Sequence, residues 1–459
     1  MLTIVLYKEN VEAQMRTPMT DTHADARMRQ LIRLVRPIMQ PVLEAGWQWR
    51  VVGGAVRDLV LGRDVHDIDI EVVVPTIADL EQCFGSEAVG TDHRVVRLRH
   101  GDVHIDLSVA GAADVLVAAA GRDLTINAMA LLPDGTLVDP YGGRADCAAG
   151  VLRHIGKAFA DDPLRVLRTM RFAAVLGFSV AAETCLHAQE VQSRYTQIAT
   201  ARIWHEWHLW AQSTHLAQGL IVLAQTGWLV HYPMLAALVG CAQDAIHHPE
   251  GDVWVHTLYV CQGTVARRSG LHTEHVVWLS FAALCHDLGK PTTSFMQDGR
   301  IVCPGHAAAG VPYTEAFLTS IGAPLRMTAP VTALVREHMA AGSGPATPRS
   351  VRRLAKRLEP ADIDMWARLV AADSSGRPPL PPNEPGAPFV AVAAELGVTA
   401  QPAPALLRGH DVLAAGVPAG PQIGLILAAA YEAQLDGVLQ THADALAWLL
   451  AYRTNTVRG

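Results

Sequence analysis

Asp67 and Asp69 stand two residues apart in a run, Asp67 to Val74, that is otherwise Ile, Val and one Glu and is ended by Pro75. The run reads as a strand, and on a strand residues two apart face the same way. Two carboxylates presented together are costly unless a cation sits between them. Mg²⁺ takes oxygen ligands and is usually held by one or two carboxylates plus substrate phosphates. A third carboxylate, Asp106, sits inside the apolar strand His104-Ile105-Asp106-Leu107, where an acid without a partner is rare. Three carboxylates suit a two-metal site, in which one ion activates an attacking hydroxyl and both steady a phosphoryl group. A bare Asp-x-Asp is more often an exposed pair on an edge strand, but the residues around this one favour the metal reading.

Upstream lies Val51-Val52-Gly53-Gly54-Ala55-Val56-Arg57-Asp58. Gly53 and Gly54 break the strand Arg50–Val52 and would let backbone N–H groups approach a triphosphate, with Arg57 adding charge. The chain has no Gly-x-x-x-x-Gly-Lys-Ser/Thr loop, so this is not the Walker type of nucleotide site. Val95–Leu98 and Val103–Val109 read as further strands, and beyond about residue 145 the pattern is helical. The fold class expected is therefore α+β. A mixed-sheet head spans 28–145, a helical body 146–243, a second helical domain 244–377 and a helical tail 387–459. Pro378-Pro379-Leu380-Pro381-Pro382 reads as a stiff linker. Residues 1–27 carry no clear pattern and read as an extension.

The formal charge of −7 argues against a surface coated in basic residues, though not against a local patch. No run of 18 apolar residues is present, so no membrane span is expected. Seven scattered cysteines without a Cys-x-x-Cys pair suggest a reduced, cytoplasmic protein. Nothing in the sequence fixes an oligomeric state.

The glycine turn and the acids together resemble the class II tRNA nucleotidyltransferase and poly(A) polymerase family. Its pattern G-G-x-V-R-D, L-G, D-x-D is matched by Gly53, Gly54, Val56, Arg57, Asp58, Leu61, Gly62, Asp67 and Asp69. Arg122-Asp123-Leu124-Thr125-Ile126-Asn127-Ala128 matches the family's next block, which implies that Arg122, Asp123 and Asn127 contact ribose and phosphates. Asp139-Pro140-Tyr141-Gly142-Gly143 matches its D-P-x-G-G turn. Asp161-Asp162-Pro163-Leu164-Arg165-Val166-Leu167-Arg168 matches the block that reads the incoming base. The resemblance implies transfer of CMP, and AMP as a further step, from CTP and ATP to the 3′ end of tRNA or another RNA. Asp67 and Asp69 would hold Mg²⁺, and Asp106 would help deprotonate the 3′-hydroxyl.

The base-reading block also makes chemical sense by itself. Residues three apart share a helix face, so Asp162, Arg165 and Arg168 are expected to line one pocket. A carboxylate only accepts hydrogen bonds and a guanidinium only donates them. Cytosine and adenine offer an amino donor beside a ring-nitrogen acceptor, whereas uracil and guanine carry N–H at that ring position. An Asp–Arg pair thus fits C and A. The chain departs from the family between Asp106 and Arg122. There it has a short Ala- and Gly-rich segment, Val109 to Gly121, in place of a longer polar loop, and Gly121 in place of an arginine. CC-adding relatives lack that loop, so a CC-adding or poly(A)-adding enzyme remains open.

A second group of residues lies further on. His286-Asp287 closes the apolar run Val276 to Cys285, and His256 sits in another, Val253 to Val260. His306, His338 and Asp373 follow. Imidazoles and carboxylates together bind divalent transition metals or Mg²⁺, although any one buried histidine is more often a core residue. The set resembles the HD metal-dependent phosphohydrolases, whose pattern H…HD…D is matched by His256, His286, Asp287 and Asp373. His306 and His338 match the extra histidines of members that hold a second metal. The resemblance implies hydrolysis of phosphomonoesters or 2′,3′-cyclic phosphates with Mg²⁺, Ni²⁺ or Mn²⁺. A phosphohydrolase whose head has decayed to an RNA-binding module is the competing reading from another class. His247 and His248 fit a ligand or a loop equally well.

Two weaker signals stay open. Arg352, Arg353, Lys356 and Arg357 form a basic stripe that suits RNA phosphates or a solvated helix face. Trp204, Trp207 and Trp210 recur every three residues, which is more often core packing than a base-stacking platform.

Overall fold

The structure, a computed structural model, describes residues 21–90 and 94–456; residues 1–20 of the expected extension lie outside them. Two compact units divide the chain, residues 1–231 and 232–459. The first is built on seven strands: β1 (Gln48–Val52), β2 (Asp67–Val73), β3 (Ala88–Val89), β4 (Val95–His100), β5 (Val103–Val109), β6 (Ala130–Leu131) and β7 (Leu137–Val138). They form one sheet in the order β3-β4-β5-β2-β1-β6-β7. β2 and β5 run parallel, while the other neighbours are antiparallel. The chain is thus α+β, with a mixed sheet followed by helices.

Period-two alternation sets the two faces of β2. Ile68, Ile70 and Val72 are buried, and Asp67 and Asp69 are exposed. The buried side belongs to one core with Val51, Val96, Ile105 and Leu107. Helix α1 (Asp21–Val35) adds Ala24, Met28, Leu31, Ile32 and Val35 to that core. Residues 21–27 therefore open a core helix, where the sequence reading saw an extension. The misreading has a physical cause: only Ala24 of this stretch carries the apolar stripe, whose other members come later.

Helices α2 (Gly54–Val60) and α3 (Val115–Ala120) flank the sheet strands in sequence. Beyond them come α4 (Leu164–Leu176), α5 (Thr200–Gln212) and α6 (Leu216–Gln225). Phe172, Ala173 and Leu176 of α4 and Val222 of α6 belong to the same core as the strand residues. Trp207 and Trp210 are fully buried on α5, edge to face at 5.3 Å, and the Trp210 indole donates to the Leu216 carbonyl at 3.0 Å. They are core residues, as the bland reading of that spacing has it.

The second unit is helical: α7 (Val253–Val265), α8 (Thr273–Cys285), α9 (His306–Ser320), α10 (Thr328–Glu337), α11 (Pro348–Leu358) and α12 (Ile363–Ser375). Side chains of Asp252 and Asp362 accept from the amides of Val255 and Met365 at 2.9 and 2.7 Å and so start α7 and α12. The tail follows as α13 (Ala387–Leu396), α14 (Gly409–Ala414), α15 (Pro421–Leu435) and α16 (His442–Thr456). Val412, Ile426, Leu439 and Leu449 give the tail a small core of its own.

The basic stripe on α11 finds its partners inside this unit. Arg349 and Arg353 both reach Asp436, Arg353 also reaches Glu432, and Arg352 donates to the Leu435 carbonyl at 3.0 Å. Lys356 and Arg357 pair with Glu359 and Glu337. The stripe faces the end of α15 with Lys356 and Arg357 exposed, so it reads as a solvated helix face laced with ion pairs. Among the described residues no helix is long and apolar enough to cross a membrane.

Candidate active sites

Strand register assembles the acids of the head. Asp69 pairs with Val52 across β1 and lies beside Asp106 on the parallel strand β5; Asp67 lies beside His104. Asp67, Asp69 and Asp106 line one cleft of about 410 Å³ together with Arg97 and His104. Asp69 is exposed as a residue, yet partial desolvation of its carboxyl at the cleft, followed by the charges of Asp106 and Asp67, pushes it above its ordinary value, while Arg122 and Arg57 pull it back. Oxygen donors under mutual repulsion fit a hard divalent cation. The clusters in which three ligand atoms lie within 4.8 Å of one another are, among the described residues, all in the second unit. The head acids share a face without converging that closely. Arg97, opposite Asp106 on β4, grips it with two bonds of 2.8 Å. The sequence reading missed this partner, because only the β4–β5 pairing brings it in.

The glycine turn abuts the acids. Gly53 ends β1 with φ +66°, a left-handed conformation that favours glycine, and a Cβ there would face Asp69 Oδ2 at 3.5 Å. From α2, the Arg57 fork donates to Asn127 Oδ1 at 2.9 Å and to Asp58 at 3.0 Å. The Asn127 side-chain amide donates to Asp123 at 3.0 Å, and Arg168 donates to the other Asp123 oxygen at 2.8 Å. Burial works against a charged Asp123, yet Arg168, Asn127 and the Leu124 amide hold it below the usual carboxylate range. The structure thus joins Arg57, Asn127, Asp123 and Arg168 in one hydrogen-bonded chain. Arg122 pairs with Glu71 on β2, which the sequence reading did not single out.

The base-reading block needs a correction. Asp162 precedes Pro163 in an extended conformation, φ −144° and ψ 102°, and α4 begins only at Leu164. A proline disfavours helical backbone in the residue before it, so the shared-face argument holds for Arg165 and Arg168 alone. The three side chains also have separate partners. Asp162 accepts from Arg202 at 2.7 Å, Arg165 donates to the Gly121 and Arg122 carbonyls at 2.9 and 3.3 Å, and Arg168 holds Asp123. Arg202 lies on α5, too far along the chain for spacing to connect it with Asp162.

In the second unit, five helices or their ends deliver the predicted ligands to one place. His256 is on α7, His286 and Asp287 follow α8, His306 opens α9, His338 follows α10 and Asp373 is on α12. All six are buried. The Nε2 atoms of His256 and His286 lie 3.2 Å from Asp373 and Asp287, and His306 Nε2 lies 3.4 Å from Asp287. The Nδ1 atoms of His286, His306 and His338 face the carbonyls of Ala283, Cys303 and Val335 at 2.7–2.8 Å. A carbonyl at Nδ1 fixes the proton there and leaves Nε2 as a lone-pair donor. The buried Nε2 atoms of His256 and His286 make no hydrogen bond although carboxylate oxygens lie 3.2 Å away, and Asp287 Oδ2 is paired with Lys290. That donor set fits a divalent metal. Histidines and Lys290 outweigh the burial penalty and hold Asp287 well below the carboxylate range.

Gly289 makes this convergence possible. A Cβ there would stand 2.1 Å from the His306 carbonyl oxygen, so only glycine lets the chain after Asp287 pass the start of α9. Glu250 and Lys290 escaped the sequence reading, while Arg377 belongs to the block Asp373-Ser374-Ser375-Gly376-Arg377 that fits the closing block of the HD family. Glu250 Oε1 lies 2.8 Å from His256 Nδ1 and 2.9 Å from His248 Nδ1. Burial opposes its charge, but those two histidines lower its pKa to about 2. His248 is therefore tied to the site through Glu250. Lys290 Nζ reaches Asp287 at 2.7 Å, and Arg377 reaches Asp373 at 2.7 Å.

The chain is similar to known proteins over most of its length. Residues 49–114 match the family model described as the poly A polymerase head domain. The multifunctional CCA protein of Laribacter hongkongensis is 35% identical over 355 residues, which is 72% of this chain and 85% of that protein. That of Nitrosococcus oceani is 32% identical over 390 residues, 79% and 94% of the two chains. Among solved structures, the Bacillus stearothermophilus CCA-adding enzyme in complex with CTP aligns with a TM-score of 0.62 at 22% identity, covering 92% of this chain and 97% of that one. The Thermotoga maritima CCA-adding enzyme complexed with tRNA gives 0.57 at 19% identity, covering 92% and 95%.

Proposed function

Because this chain belongs to the class II CCA-adding and poly(A) polymerase family, among the multifunctional CCA proteins, we propose that it adds C and then A from CTP and ATP to the 3′ end of tRNA. The observation that carries the reading is the register of Asp69 beside Asp106, with Asp67 on the same strand. Mg²⁺ held by Asp67 and Asp69 would supply charge for the transferring phosphoryl group. Asp106 takes the proton of the RNA 3′-hydroxyl once the exposed Arg97 swings away. Gly53, Gly54, Arg57 and Arg122 receive the triphosphate, and Asp123, Asn127 and Arg168 hold the ribose side. Asp162 and Arg165 meet the base edge, with Asp162 leaving Arg202 to do so. A cytoplasmic place suits such a substrate.

The test is direct. Incubated with tRNA lacking its 3′ end and each labelled NTP, the protein should incorporate C from CTP and little from UTP or GTP. No incorporation of any nucleotide would reject the reading. Asp162→Ala should relax the choice of C over U, since the cytosine amino group loses its acceptor. A variant that is slower but equally selective would make Asp162 structural.

The second reading is a CC-adding enzyme, and it rests on the residue 109–121 segment. The segment contains a six-residue helix, Val115–Ala120, capped by Asp114, which accepts from the Leu116 amide at 2.7 Å. So short a connection has few polar groups with which to reshape the pocket after two additions. A tRNA ending in CC should therefore accept A more slowly than a tRNA lacking all three nucleotides accepts C. Equal rates would establish full CCA synthesis.

For the second unit we propose a metal-dependent phosphohydrolase. His256, His286, Asp287 and Asp373 would hold the first metal, with His306 and His338 toward a second. Bound Mg²⁺, Mn²⁺ or Ni²⁺ would supply activated water. Lys290 and Arg377 stand beside the ligating carboxylates as cations for a phosphomonoester or a 2′,3′-cyclic phosphate. The Arg377 Nε is buried without a partner, which suits an anionic ligand.

A further inference from the structure

Arg50 and Glu71 are charged residues in the interior of β1 and β2, directly opposite each other. They are only 4% and 8% exposed. A buried pair of this kind is weak as a source of stability and must be read from what else it holds. Arg50 Nε donates to Glu71 Oε2 at 2.8 Å, and its two terminal nitrogens donate to the carbonyls of Ala113 and Ala112 at 3.1 and 2.7 Å. The second Glu71 oxygen takes the Arg122 guanidinium. Arg122 Nη1 lies 3.9 Å from where a Cβ on Gly53 would be, so that cation stands at the glycine turn.

The connector between β5 and Arg122 is thus fastened at both ends. Arg50 holds its start at residues 112–113, and Arg165 holds its end at the Gly121 and Arg122 carbonyls. Between them α3 leaves Leu116 and Val117 exposed at 52% and 61%, and only Ala119 is buried, against Ala128 and Ile155. Apolar burial does little to fix this helix, and guanidinium–carbonyl bonds do most of it.

We propose that Arg50 and Glu71 are positioning residues of the head. They brace the 109–121 connector and hold Arg122 at the glycine turn, so the nucleotide is received by a fixed connector and not a swinging one. The consequence for the nucleotide rests on the nucleotidyltransferase reading above; the brace itself does not.

Arg50→Met with Glu71→Met replaces the pair by apolar side chains of similar length, an exchange that buried ion pairs often tolerate. Amide hydrogen exchange at residues 111–121 should quicken by about tenfold or more, with the rest of the sheet unchanged. The KM for CTP should rise by about an order of magnitude, with kcat changed far less, because Arg122 acts on bound nucleotide. Glu71→Gln alone should raise KM while leaving exchange at 111–121 nearly as in the parent, since Arg50 keeps its two carbonyls. General loosening of the fold would not separate the two readouts. Unchanged exchange in the double variant, or unchanged KM in both variants, overturns the proposal. Absent incorporation by the parent protein would count against the transferase reading, and the exchange data would still decide the brace.

Discussion

Asp67→Ala and Asp69→Ala should each reduce nucleotide incorporation by about a thousandfold or more. A lost metal site forfeits several kcal/mol of transition-state charge stabilisation, and each 1.4 kcal/mol is about tenfold in rate. The fold should survive. Asp69 lies beside Asp106, and partial desolvation together with the neighbouring carboxylates already disfavours its charge. Removing it relieves repulsion, so the melting temperature without divalent ions should be equal or higher, as is common where a site is built against stability. Both readouts matter together. Undiminished incorporation by both variants removes the assignment of the head, and a collapsed melting temperature would make Asp69 a folding residue.

If the second unit is the metal-dependent phosphohydrolase proposed above, His286→Ala combined with Asp287→Ala should empty its metal site and end metal-dependent hydrolysis of phosphomonoesters or cyclic phosphates. Nucleotide addition should continue. Asp287 lies within 4 Å of four histidine Nε2 atoms, so no other ligand stands so centrally. Metal analysis in an Asp67→Ala, Asp69→Ala background excludes ions held by the head. Equal metal content with and without the double change contradicts the site. Glu250→Gln gives a graded companion: the carboxylate behind a ligating histidine is worth about 10–100-fold in metal affinity, so content falls only when free metal is limiting.

Much of this was legible because it follows period two or a local block. The alternation of Asp67 to Val73 places its acids away from the core, and Asp106 follows by the same rule. The six candidate ligands of the second unit lie close together, from five separate helices or helix ends. What stayed hidden needs pairing across the chain. Arg97 meets Asp106 through strand register, Arg202 meets Asp162 from another helix, and Glu250 meets His256 from a loop. Asp162 was misplaced for a local reason, the proline after it. Arg50 and Glu71 left a trace, charges inside apolar strands, but the trace names no partner.

Phe172, Leu176 and Val222 complete the apolar layer that Ile68, Ile70 and Leu107 begin. The head therefore does not own its interior. A fragment ending near residue 145 would leave one side of a seven-stranded sheet wet, a surface that recruits other chains. The family stretch, residues 49–114, leaves out Phe172, Leu176 and Val222, and so lacks part of the sheet's own core. Sheet and helical body therefore share one interior, while the 109–121 connector contributes only Ala119 to a separate small cluster, so changes there leave that interior closed.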